Sequence, residues 1–192
     1  GYSSGLVENA LLSYMGRLNY GYADKYLVTG SVRWDGASQL AEGNKGAYFP
    51  SASLAWVLSK EKFLENVTWV DQLKLRAGYG VTGNAAVPAY STTPPLLGVV
   101  YPLGTTTSGV LNNTSLGNID LGWEQTTQFN YGLDFSMFNS RVSGALEYYT
   151  SNTNDLLLRS AVPTPLGVTN TYQNVGETKA KGVELTLNTV NV

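Results

Sequence analysis

Few of this chain's residues could carry chemistry. Its 192 residues include no histidine and no cysteine. That removes the commonest general base, the usual zinc ligands, thiol nucleophiles and disulfides. Four constellations remain. Gly78-Tyr-Gly80-Val-Thr-Gly83 spells a G-x-G-x-x-G pattern, but phosphate binding there needs a helix directly afterwards and an acidic residue about 20 positions on. Pro88, Pro94 and Pro95 follow instead, and no Asp or Glu lies between Asp71 and Asp120. The glycines therefore read as strand residues that ease curvature and leave space beside the chain. Glu124 and Asp134 fall on one strand face, yet the extended chain between them spans about 33 Å. An acid–base pair needs its carboxylates within roughly 10 Å. Asn112, Asn113, Asn118 and Asp120 are rich in oxygen, but their order fits no EF-hand spacing and suits ordinary turns. Tyr90, Tyr101, Trp123 and Tyr172 carry flat faces that stack on sugar rings or on a partner protein, or else anchor loops. From these residues no catalytic group, metal or cofactor is expected, and the chain does not read as an enzyme.

The elements that position these residues show a period of two. In Tyr26–Asp35 the even positions are Tyr26, Val28, Gly30, Val32 and Trp34, and the odd ones include Thr29, Ser31, Arg33 and Asp35. That is a β-strand between two different solvents. The pattern recurs along Tyr14–Tyr22, Leu73–Val81, Phe129–Phe135, Val142–Tyr148 and Val183–Leu187, and more weakly along Tyr48–Leu58. Arg17, Arg33, Asp35, Lys74, Arg76, Asp134, Glu147 and Glu184 all lie opposite the apolar side, and Glu124 joins them. A soluble sandwich would also keep charge off its core face. The apolar side here, however, carries Tyr14, Tyr20, Tyr22, Tyr26, Trp34, Tyr131 and Tyr148. Each hydroxyl buried in a core needs a partner, whereas at a membrane interface it reaches water and headgroups.

The connections alternate. Residues 23–25 and 138–140 are short; 36–47, 84–121 and 158–173 are long; 60–71 is intermediate, with one helical turn expected at Glu61 to Asn66. Tyr20, Tyr22 and Tyr26 flank one tight turn and Phe135 and Phe138 the other, while Trp34 and Tyr48 flank a long connection. Two aromatic girdles and alternating turns and loops describe an antiparallel transmembrane β-barrel, of which about seven to nine strands are present. Residues 96–103 read as either a further strand or part of a folded loop, since Pro94 and Pro95 argue against a central strand. Only 14% of residues are charged and the formal net charge is −2, which sets nucleic acid aside as a partner. No charged segment followed by an apolar run opens the chain, so the N-terminal part of a parent protein is expected elsewhere.

Several runs also carry a resemblance. Tyr26-Leu-Val-Thr-Gly-Ser-Val-Arg-Trp-Asp-Gly-Ala-Ser38 is followed by Tyr48-Phe-Pro-Ser-Ala-Ser-Leu-Ala-Trp56 and Glu61-Lys-Phe-Leu64. Then come Leu73-Lys-Leu-Arg-Ala-Gly-Tyr-Gly-Val-Thr-Gly-Asn84, Leu121-Gly-Trp-Glu-Gln-Thr127 and Lys181-Gly-Val-Glu-Leu185. In this order they resemble the SusC/RagA family of TonB-linked outer-membrane proteins from Bacteroidetes. The resemblance implies a plugged barrel of roughly 22 strands, multi-pass in the bacterial outer membrane. It implies import of glycans or peptides powered through the TonB complex, with a SusD-like surface lipoprotein as a lid. Residues 1–192 then supply part of the barrel wall, while the plug and the TonB-binding segment lie outside this chain. Loops 36–47, 84–121 and 158–173 are expected to line the mouth, with Tyr90, Tyr101, Trp123 and Tyr172 as contacts to lid or substrate. Two other readings stay open. One is a ferric-siderophore or vitamin receptor, or a passive porin; the other is a soluble carbohydrate-binding β-sandwich.

Overall fold

A computed structural model describes residues 6–93, 96–103, 106–113, 115–163, 165 and 168–191, with 96–103 and 106–113 described in backbone only. Eleven strands are present among them: β1 (Leu11–Tyr22), β2 (Tyr26–Ala37), β3 (Gly46–Val57), β4 (Val70–Asn84), β5 (Leu96–Leu103), β6 (Thr106–Asn113), β7 (Glu124–Met137), β8 (Val142–Asn154), β9 (Leu157–Ala161), β10 (Asn170–Asn174) and β11 (Glu177–Thr189). Seven make one antiparallel sheet in the order β1-β2-β3-β4-β7-β8-β11. The other four form two separate hairpins, β5–β6 and β9–β10, carried inside the long connections. Residues 96–103 are thus a strand that never enters the main sheet; Pro94 and Pro95 lie outside the described residues.

Register keeps the two solvents apart. One row of paired residues runs Tyr20, Val28, Leu54, Ala77, Tyr131, Tyr148, Val183 across all seven strands. The next runs Tyr22, Tyr26, Trp56, Leu75, Leu133, Leu146, Leu185. Among the described residues nothing packs over this apolar side: Leu18 is 74%, Val32 47% and Leu75 41% exposed. Exposing such a surface to water would cost about 25 cal/mol per Å².

Its aromatics fall into two belts. Tyr22, Tyr26 and Trp56 follow one another with ring centroids 6.4 and 6.1 Å apart, and Trp69 stacks on Phe138 at 6.1 Å. At the other end Tyr14 meets Trp34 at 5.9 Å and Tyr79 meets Phe129 at 4.9 Å. The upper belt slips along the register, from Tyr14 on β1 to the row of Tyr20 at Tyr148 on β8. That is about six residues over about five strand steps, or roughly 20 Å against 24 Å, which corresponds to a strand tilt of about 40°. The main strands are 12 to 15 residues long, more than the about 9–11 that a tilted wall requires. They therefore run on past the belts.

Tight turns close the lower end. Ala23 and Asp24 both have positive φ (52° and 54°), and Lys25 N donates to Tyr22 O at 3.0 Å, the hand that matches strand twist. Between β3 and β4 the expected helical turn at Glu61 to Asn66 does not form. A short 3₁₀ turn sits earlier, at Leu58–Lys60. Three-residue steps then follow, with Leu64 N donating to Glu61 O and Val67 N to Leu64 O, both at 3.0 Å. The Glu61 carboxylate is drawn back to the lower belt instead. It accepts from Tyr26 Oη (2.7 Å), Trp56 Nε1 (3.2 Å) and Lys25 Nζ (3.2 Å).

The buried core lies at the opposite end, among the loops. Leu40, Ala41, Phe49, Val87, Leu121 and Trp123 form one cluster, and Leu157 and Tyr172 pack against it. Leu40 and Leu121 are at most 1% exposed, each worth roughly 2–3 kcal/mol by burial. Polar links tie the same segments. Ala41 N donates to Leu121 O (2.9 Å), Gln39 Nε2 to Ala85 O (3.0 Å), Asn44 Nδ2 to Asp120 O (3.0 Å) and Gly122 N to Asn174 Oδ1 (2.7 Å).

The three donors, Tyr26 first, hold the Glu61 carboxyl below its ordinary value of 4.5. A depressed folded-state value means the link stabilises fully above the unfolded value and is lost as pH falls through the folded one. The unfolding midpoint of the wild type is therefore expected to drop between pH 4.5 and the lowered value. Glu61→Gln should flatten that part of the pH profile, and an unchanged profile would remove Glu61 as the anchor.

Candidate functional site

The polar side of the sheet holds an ionic patch built by β4, β7, β8 and β11. Register sets Lys74 beside Asp134, and carries Arg76 through Gly132 to Glu147 and Glu184. Arg76 grips Asp134 with two bonds, Nε to Oδ2 at 2.8 Å and Nη2 to Oδ1 at 2.7 Å. It also reaches Glu147 Oε1 from the same Nη2. The planar fork of arginine permits this triple engagement; a lysine ammonium does not match it. Gly132 makes it possible, because a Cβ there would stand 3.0 Å from the guanidinium carbon. Lys74 Nζ adds a second cation to Asp134 at 3.2 Å. Glu184 faces Glu147 across the β8–β11 pairing and has no ion-pair partner among the described residues.

A second patch sits towards the loops. Arg33 Nε donates to Asp35 Oδ1 at 2.6 Å, and its Nη2 donates to Ser13 Oγ at 3.1 Å. Arg17 is exposed on β1. Glu124 is a strut: its carboxylate accepts from Asn84 Nδ2 (3.1 Å) and from Leu157 N (3.0 Å). Glu124 and Asp134 therefore serve different networks. Gly78, Gly80 and Gly83 all lie within β4, with no helix at their end to receive a phosphate. Asn118 and Asp120 make a turn, in which Asn118 Oδ1 accepts from Asp120 N (3.0 Å) and Asn118 Nδ2 donates to Tyr172 O (2.9 Å). The side chains of Asn112 and Asn113 lie outside the described residues.

Beside Arg33 and Asp35 a cavity of about 710 Å³ opens on the polar side, bordered by Gln39, Phe49, Asn84 and Trp123. Neither Gln39 nor Phe49 is legible as its border from sequence, because strand alternation does not report which loop folds over which. A neighbouring opening is bordered by Glu8, Ser38, Gln39 and Tyr90. Of the four aromatic candidates, Tyr90 is 55% exposed and its hydroxyl accepts from Glu8 N at 3.4 Å. Trp123, on the border of the larger cavity, is 9% exposed, meets Phe49 edge-on at 5.2 Å, and gives its indole N–H to Lys45 O at 2.9 Å. Tyr172 packs half-buried against the same cluster. Tyr101 lies on β5 and its side chain is outside the described residues.

Comparison with known proteins places the chain. Residues 2–190 match the family described as TonB dependent receptor-like, beta-barrel, and the chain belongs to that family. It is 42% identical over 186 residues to TonB-dependent receptor P26 of Formosa agariphila, covering 95% of this chain and 18% of that protein. It is 37% identical over 190 residues to TonB-dependent receptor SusC of Bacteroides thetaiotaomicron, covering 95% and 19%. A solved structure of the RagAB peptide transporter superposes with a TM-score of 0.85 at 34% identity, over 94% of this chain and 20% of that one. The siderophore receptor PirA of Pseudomonas aeruginosa shares the fold at 16% identity and a TM-score of 0.62. The chain thus spans about a fifth of the length of the SusC and RagA relatives it matches.

Two outcomes follow from the geometry. Gly132→Ala is expected to displace Arg76 from Glu147 and lower stability by about 1 kcal/mol, a charge-assisted bond discounted for partial exposure. In an Arg76→Gln background the same change should lower the unfolding midpoint little, and additive losses would refute the coupling. Leu121→Ala should open the loop cluster by about 3 kcal/mol. The expected readout is protease cleavage within 38–45 and 115–123 while the sheet stays folded.

Proposed function

We propose that this segment is part of the wall and outer rim of a TonB-dependent outer-membrane importer for large nutrients, glycans or peptides. The observation that carries the reading is the unbroken register of apolar rows across seven strands, with no second layer over them and ions on the opposite side. Hydrocarbon covers such a side, and water with a lumen-filling element covers the other. A β-sandwich would need a second sheet on the apolar rows, and the main sheet has none among the described residues.

The tight turns then face the periplasm and the fastened loops face outward. The Arg76 patch lies midway along the wall, where it meets the element that plugs the barrel. The cavity beside Arg33 and the exposed ring of Tyr90 lie at the mouth, where substrate or a SusD-like lipoprotein lid would touch. The TonB complex engages parts of the protein beyond this stretch. Identity of 34% to the RagAB peptide transporter, against 16% to the siderophore receptor PirA, supports peptides over siderophores, and the SusC/RagA resemblance of the sequence adds glycans.

In the full-length receptor, removal of residues 85–119 is expected to leave membrane insertion intact. Uptake should fall by about tenfold, corresponding to the loss of about 1.4 kcal/mol of lid or substrate contacts. Normal insertion with normal uptake would show that the loop has no part in transport.

A further inference from the structure

Above the upper belt, the apolar side changes character on its last three strands. The sequence pattern placed the start of the final strand at Val183, with every ionic side chain opposite the apolar side. The structure extends β11 back to Glu177. Alternation then puts Lys181, Lys179 and Glu177 on the same side as Val183 and Leu185. Register carries Phe129 to Thr150 and on to Lys181, and the row above runs Thr127, Asn152, Lys179. Both lysines are exposed. Lys179 Nζ stands 2.9 Å from Glu177 Oε1. Lys181 enters no ion pair among the described residues.

The same height on β1–β3 looks different. The belt there is Tyr14, Trp34 and Tyr48, and Leu12, Gly36 and Gly46 beyond it carry no charge. The cationic step is therefore local. A lysine one step above an apolar band extends its ammonium into the headgroup layer while its methylenes stay on the band. Thr127 and Thr150 add hydroxyl groups that can bond a phosphate oxygen, and Asn152, which bonds the Glu177 carboxylate, has a second amide N–H to offer. On this side of the wall no lumen element can reach the lysines.

We propose that Lys179 and Lys181, flanked by Thr127, Thr150 and Asn152, seat the anionic phosphate headgroup of an outer-leaflet lipid. The proposal rests on the reading of this sheet as a membrane wall. In the full-length receptor, heat unfolding is followed by gel mobility while dihexanoyl-phosphatidylglycerol is titrated, with dihexanoyl-phosphatidylcholine as the zwitterionic control. Saturable stabilisation is expected from the anionic lipid alone. Its midpoint concentration should rise roughly fivefold in Lys179→Gln and again in Lys181→Gln, the worth of one lysine near an anionic surface. The Lys179→Arg/Lys181→Arg double variant should retain the wild-type response. Equal midpoints in the glutamine variants, or equal stabilisation by both lipids, overturn the seat and leave the wall standing. A receptor that fails to float with phosphatidylcholine vesicles overturns both.

Discussion

The two-residue alternation of the strand is the constraint from which the rest follows. A slip of one residue in any of the six pairings of the main sheet would turn Arg33, Arg76 or Asp134 onto the apolar side and Val32, Leu75 or Leu133 onto the polar one. Charge placed against hydrocarbon costs several kcal/mol per residue at mid-depth, so the register is held by solvent on both sides. The sheet needs no core of its own. Its apolar rows remain open over seven strands, and its closely packed residues gather where the strands end.

Much of this was legible in the sequence because it is local. Alternation over about ten residues identifies each wall strand, and the short segments 23–25 and 138–140 identify the tight turns. Of the polar residues expected to share a side, Lys74, Arg76, Asp134 and Glu147 meet in one network. Legibility ends where contacts join distant residues. Leu40 and Leu121, or Phe49 and Trp123, approach each other through loop folding that no period records. The bond from the Trp123 indole N–H to Lys45 O is another contact of this kind. Glu61 read as part of a helical turn because helix propensity is a local quantity, whereas three donors from the belt decide its position. The outward lysines of β11 were missed for a related reason. Ahead of Val183 one side carries Glu177, Lys179 and Lys181 and the other Thr178, Ala180 and Gly182, so no large apolar residue signals where the strand begins.

Glycine has a specific use in the ionic patch. Arg76 must reach across the whole of β7 to touch Glu147, two strand spacings of about 4.8 Å each in the hydrogen-bonding direction. The residue it crosses is Gly132, and the guanidinium lies over the space a side chain would fill. The patch still leaves two carboxylates, Glu147 and Glu184, opposite one another on neighbouring strands, and Arg76 engages only Glu147 of the two among the described residues. Like charges facing across a pairing repel, and that excess of negative charge is presented to whatever occupies the inner side of the wall.

The loop cluster ties together segments that are far apart in the sequence. The segments 38–45, 85–87, 121–123 and the β9–β10 hairpin share one apolar centre and a set of backbone links. Transplanting any one of them from a relative would strand Leu40 or Leu121 without its complement. A change in one stretch of this cluster therefore calls for matching changes in stretches far away in the sequence.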